Sequence, residues 1–159
     1  GRPWLALHTP GHTHDHLCLF DPVDGILLSG DHVLPSITPH IGGIGPLEDP
    51  LATFFRSLER MKELPGLAAV LPAHGHPFTD VSGRVDDIVG HHEDRLETIR
   101  EAGHDLGQGT VESFMQRLFK ERSWGDMAAS ETYAHLEHLR ILGQATRNEV
   151  AGQAVYLTH

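Results

Sequence analysis

Thr9-Pro10-Gly11-His12-Thr13-His14-Asp15-His16 lies between two strand-like runs, residues 4–8 and 16–20. A strand that passes through a Pro-Gly turn straight into histidine places an imidazole at the rim of a sheet. Two later stretches repeat the arrangement: Gly30-Asp31-His32 follows a strand at 26–29, and Pro72-Ala73-His74-Gly75 follows a short apolar strand at 67–71. His12, Asp31 and His74 thus share one context, the loop after a β segment. Imidazole nitrogens and carboxylate oxygens are the donors a catalytic zinc takes, and an aspartate can bridge two ions through its two oxygens. A single loop histidine reads as a solvated side chain; three such motifs in this order read as a metal site. Gly11, Gly30 and Gly75 beside them permit sharp backbone turns.

Asp24-Gly25 marks a turn between strands, giving a hairpin. Residues 33–49, rich in Pro, Gly and Ile, form a long loop of the kind that borders active sites. Asp49-Pro50 starts a helix, as N-cap and first helical residue. Leu51, Phe54, Phe55, Leu58 and Met61 then fall on one face, and Pro65-Gly66 ends the helix. From about Ser82 the pattern turns helical throughout: Val85, Ile88, Val89, Leu96 and Ile99 are spaced on one face, with Gly103 and Gly107 bounding a break. Thr110 caps a second helix, and a third with Leu136, Leu139 and Leu142 ends at Gly143. A short β signal covers 150–158 after a turn near Gly152. Three helices and a terminal hairpin suggest a winged-helix-like module, so the expected division is 1–81 and 82–159.

The 159 residues carry 12 Lys or Arg against 22 Asp or Glu, a formal charge of −10, which disfavours nucleic acid held by charge alone. From Ser82 onward 8 basic residues face 13 acidic ones, and the candidate recognition helix near 129–142 offers only Arg140 as a cation. No apolar run approaches the roughly 18 residues that span a bilayer, and the opening residues show no signal-peptide pattern. The single Cys18, set in Leu17-Cys18-Leu19-Phe20, reads as a buried small hydrophobe in a reducing, cytoplasmic compartment. Eight of the 14 histidines lie within positions 8–76, where a metal site would show. The chain opens on Gly1 with strand-like sequence almost at once, which reads as a trimmed end with an upstream segment missing.

Taken together, Thr9–His16, Gly30–His32 and Pro72–Gly75 look like the later motifs of the metallo-β-lactamase superfamily. The resemblance is nearest to glyoxalase-II-like hydrolases and to relatives with a C-terminal winged helix. It implies an α/β fold: the C-terminal half of an αββα sandwich, then a mostly helical winged-helix-like module. It implies that His12 binds a first metal, Asp31 bridges, and His74 binds a second. Zinc is the default, two ions in a full-length protein, with iron or manganese as alternatives. The leading His-x-His-x-Asp-His motif of the family is absent. His12-Thr13-His14-Asp15-His16 resembles it superficially but lacks the residue between the second His and the Asp.

The implied activity is hydrolysis of a small acyl compound (a thioester, ester or lactone) by a metal-activated hydroxide, with Asp31 as the catalytic carboxylate. The runners-up are an RNA nuclease and, for this chain alone, a non-catalytic binding or dimerisation module. The chain alone is expected to be inactive and to bind metal weakly or not at all. Its inner apolar sheet face is expected to be buried against a second copy or a rearranged segment. Of the other histidines, His14 and His16 are candidates for orienting His12 or the neighbouring loop through hydrogen bonds, and His32 and His40 for facing a substrate. Glu131, His135 and His138 share a helix face and read as a solvated or inter-module surface rather than a ligand set. His91-His92-Glu93-Asp94 likewise reads as a polar helix surface.

Overall fold

The computed structural model describes all 159 residues, Gly1–His159. They form two compact units, one of residues 1–40 and 52–91 and the other of 41–51 and 92–159.

In the first unit, β1 (Leu5–His8), β2 (Leu17–Asp21), β3 (Ile26–Gly30) and β4 (Ala69–Pro72) form a sheet in the order β1-β2-β3-β4. The β1/β2 and β2/β3 pairs are antiparallel and β3/β4 is parallel. The hairpin turns at Gly25, whose positive φ of 67° suits glycine. Parallel pairing needs a crossover, and α1 (Pro50–Lys62) supplies it. Alternation along the strands sorts the side chains. Cys18, Phe20, Leu27 and Val70 are buried, with Phe54, Leu58 and Met61 of α1 and Val85 and Ile88 of α2 (Val81–Leu106) completing the core. On the opposite face Leu19 pairs with Ala6 and Leu28, and Leu28 with Leu71. Leu17, Leu19 and Leu71 there are 55%, 39% and 39% exposed. One face of the sheet is therefore covered within the unit and the other is an open apolar surface.

The second unit contains β5 (Gly109–Thr110), α3 (Val111–Leu118), α4 (Asp126–Ile141), β6 (Ala145–Val150) and β7 (Gln153–Thr158), with a sheet ordered β5-β7-β6. Thr110 caps α3 as expected, its hydroxyl accepting the Ser113 N–H at 3.2 Å. Gly143, at φ 73°, follows α4, and Ala151 and Gly152, both with positive φ, make the two-residue turn between β6 and β7. Phe114, Leu136, Leu139, Ile99 and Tyr156 are buried at its centre. No helix of the chain is long and apolar enough to cross a membrane.

The structure corrects several readings, among them the surface expected for Glu131, His135 and His138, which are buried. The helix expected to break near Gly103 runs on to Leu106. Gly103 is there for space: a Cβ would stand 1.8 Å from the Thr158 hydroxyl oxygen. The proposed recognition helix is a core helix, because α4 buries Glu131, Thr132 and every residue from Ala134 to Leu139. His92, read as part of a polar surface, is fully buried. The helix that opens at the expected 81/82 boundary carries residues of both compact units.

Candidate metal centre

β1, β3 and β4 all run the same way, since β2 is antiparallel to both of its neighbours and β3 and β4 are parallel. Their C-terminal ends consequently deliver Thr9–His12, Asp31 and His74 to one edge of the sheet. A register shift between Leu28 and Gly30 bends β3 just before Asp31. Gly30 accepts the Ala73 N–H at 2.9 Å, which ties the second motif to the third. The His74 loop is closed behind by a backbone pair, Val70 N–H to Phe78 O at 2.8 Å and Phe78 N–H to Val70 O at 3.1 Å. Asp31 Oδ1 lies 3.3 Å from His74 Nε2. This edge is open to solvent, with His74 67% and Asp31 35% exposed at the side chain.

The first motif is held by α1. Ser57 Oγ donates to the Pro10 carbonyl at 2.7 Å, and Arg60 donates to the His8 carbonyl at 3.0 Å. Gly11, at φ 148°, packs so tightly on α1 that a Cβ would meet Phe54 Cβ at 2.5 Å. His12 lies on the same rim. Its Nδ1–H donates to the His40 carbonyl at 2.7 Å, which leaves Nε2 as the atom with a lone pair for a ligand.

His16 links the first two motifs. The Asp31 N–H donates to His16 Nε2 at 3.2 Å, so Nδ1 carries the ring proton and donates to Thr9 Oγ1 at 2.8 Å. Desolvation, then the neighbouring His12, lowers the pKa of His16, and both favour the neutral ring that this pattern needs. Gly30, at φ 54°, makes room for it, since a Cβ there would fall 2.7 Å from His16 Nε2. Of the two candidate orienting residues, His16 bonds Thr9 and the Asp31 backbone rather than His12 itself, while His14 is exposed and its backbone carbonyl takes a bond from His8 Nε2 at 2.9 Å.

His32, a candidate for facing a substrate, is instead fully buried, stacked edge-on against Phe54 at 5.3 Å between ring centroids. Burial pushes its imidazole down to about 3, with the Ser57 backbone offsetting this only in part, and neither ring nitrogen finds a partner at hydrogen-bonding geometry. Cys18 behaves as the small hydrophobe it was read to be: burial pushes its thiol up to about 11, and its sulfur meets only Thr9 Oγ1 and the Ser29 carbonyl.

Residues 1–101 match the metallo-beta-lactamase superfamily. A metallo-beta-lactamase family protein from Thermus thermophilus superposes with a TM-score of 0.88 at 32% identity, covering 100% of this chain and 50% of its own. The probable metallo-hydrolase YqjP of Bacillus subtilis (strain 168) is 29% identical over 96% of the chain and 49% of its length. An atrochrysone carboxyl ACP thioesterase of Aspergillus fumigatus is 33% identical over 74% of the chain and 29% of its length. The chain belongs to the metallo-β-lactamase superfamily. It spans about a third to a half of the length of the curated relatives it matches.

Proposed function

We propose that this chain supplies part of the catalytic centre of a metal-dependent hydrolase acting on a small acyl substrate, a thioester, ester or lactone. The observation that carries the reading is the delivery of His12, Asp31 and His74 to one sheet edge by three strands of the same direction. The donor chemistry fits a metal. His12 Nε2 is left as a lone-pair donor by the Nδ1 bond to His40, and an Asp31 oxygen and His74 Nε2 stand close together. On this reading His12 serves one ion, Asp31 bridges and His74 serves the other, with the remaining donors coming from residues outside this chain.

Zinc, or iron or manganese in its place, supplies Lewis acidity that polarises an acyl carbonyl and makes water nucleophilic near neutral pH. This chain's own residues hold the geometry: His40 fixes the His12 tautomer, His16 anchors the backbone of Asp31, and the Val70–Phe78 pair sets the His74 loop. The likeness to an acyl carrier protein thioesterase supports the acyl class. The charge of −10 speaks against RNA as substrate. Helices followed by a β-hairpin in the second unit support a winged-helix-like reading, with a covering or dimerisation role rather than nucleic acid binding. The lone buried thiol supports a cytoplasmic setting.

The test is elemental analysis of the intact protein purified without chelators, followed by assays on acyl thioesters, esters, lactones and RNA. At least about two metal ions per chain are expected, with acyl hydrolysis that falls at least about 100-fold in Asp31→Asn and His74→Ala. An intact protein without metal, or acyl hydrolysis indifferent to both substitutions, overturns the reading. RNA cleavage without acyl hydrolysis transfers it to the nuclease alternative.

A further inference from the structure

We propose that the second unit holds a separate, buried metal site of its own, in which His92, Glu131 and His135 bind a zinc-like divalent transition ion. Each of the three offers one ligand atom, and these atoms lie within 4.8 Å of one another. His92 and His135 are fully buried and Glu131 is 8% exposed. Two helices build the group. Glu131 and His135 are four residues apart on α4 and so project from one face, and His92 comes from α2.

The hydrogen bonding prepares the imidazoles for this. His135 Nδ1 lies 2.7 Å from the Glu131 carbonyl oxygen, which can only accept, so Nδ1 carries the proton and Nε2 presents a lone pair. That lone pair meets His92 Nδ1 at 3.1 Å. Two nitrogens bound to one tetrahedral zinc at the usual bond length are separated by about 3.3 Å. The two rings thus stand nearly at the spacing of neighbouring ligands, with a single proton between them that a cation can replace. When the ion enters, the His92 proton passes by way of solvent from Nδ1 to Nε2. The ring stays neutral, as a ligating imidazole must, and its Nδ1 lone pair turns to the ion.

Glu131 supplies the negative charge that a buried cation requires. Arg95 pairs with the same carboxylate and lies over the Phe119 ring, 4.7 Å from its centroid. A carboxylate has about four acceptor positions, enough for the guanidinium and an ion together, and Arg95 then acts as the outer partner that orients the ligand. A transition ion is favoured over calcium or magnesium because two of the three donors are imidazole nitrogens. The site shares no residue with His12, Asp31 and His74.

The test uses the whole chain carrying His12→Ala, Asp31→Asn and His74→Ala together, which removes the sheet-edge donors. After zinc loading and buffer exchange, about one zinc per chain is expected, with two imidazoles in its X-ray absorption spectrum. His92→Gln and Glu131→Gln, each added separately, are expected to weaken zinc binding at least about tenfold while the circular dichroism spectrum keeps its helical form. A folded triple variant that retains no zinc overturns the proposal. So does zinc retention unaffected by His92→Gln. If the added substitutions unfold the chain, the absorption spectrum of the triple variant decides: an ion shell without imidazole overturns the proposal.

Discussion

His16 carries more of the geometry than its place in a histidine-rich run suggests. It touches no part of the reaction, yet it accepts the Asp31 N–H and donates to Thr9, fixing two motifs against each other. Loss of a residue that orients a metal ligand lowers metal affinity or activity about 10–100-fold. His16→Ala in the intact protein is expected to do so. Restored metal at high concentration should recover activity if the role is positioning, and an unchanged activity would remove His16 from the site. The sequence pointed to His14 and His16 equally, because spacing alone cannot tell which ring turns inward. Gly30 favours His16: a Cβ there would crowd the ring at 2.7 Å from Nε2, and that close approach is invisible until the strands are paired. His32 escaped in the same way, since its burial depends on Phe54, which follows it by 22 positions.

At the scale of elements, the motif-bearing strands and α1 were legible because alternation, Pro-Gly turns and an Asp-Pro start are local signals. β5 and β6 were harder to see. β5 has two residues, and five of the six β6 side chains are exposed, so neither shows an apolar pattern. The uninterrupted α2 contradicts a glycine rule that holds only when nothing packs on the glycine. Alanine at position 103 would gain up to about 1 kcal/mol of helix propensity, yet its Cβ would collide with Thr158. Overpacking costs about 1–3 kcal/mol, so Gly103→Ala is expected to lower stability by up to about 2 kcal/mol in chemical denaturation. A stabilised variant would show that β7 yields freely there.

Between α4 and β7 lies a polar contact with a pH signature. Burial works against ionisation of Glu137, but hydrogen bonds from Arg140 and Tyr156 and the charges of Arg140 and Arg147 outweigh it and hold the carboxyl below its ordinary value. Tyr156 Oη donates to it at 2.6 Å in the core. A carboxylate with a depressed folded pKa contributes stability that is complete above its unfolded value, about 4.3, and is lost as pH falls through the folded value. Glu137→Gln is therefore expected to lower the melting temperature at neutral pH and to flatten its fall below about pH 4.3. Tyr156→Phe should cost about 1.5–3 kcal/mol, as for a bond to a charged group. A Glu137→Gln profile parallel to that of the parent would sink this account.

For the whole molecule, the open face of the first sheet is the dominant feature. Leu17, Leu19 and Leu71 stand exposed on one surface; full burial of such a side chain gives about 1.5–3 kcal/mol, and covering what remains open gains roughly half of that. The chain alone is expected to associate with itself through this face, its sedimentation rising with concentration, and Leu19→Lys with Leu71→Lys should return it to a monomer. A parent chain that stays monomeric at high concentration would overturn this. The expectation of an uncovered apolar face came from the resemblance, which makes the chain half of a sandwich; what covers that face is not encoded in the pattern of its own strands.

The clasp behind His74 is made of backbone atoms from Val70 and Phe78, so the ligand's position is written into the chain path and not into its neighbours' side chains. His76 and Pro77 are held inside that clasp and exposed, so their side chains can be exchanged without moving His74. On the proposed reading, positions 76 and 77 are therefore where the rim can be reshaped while the His74 imidazole keeps its place.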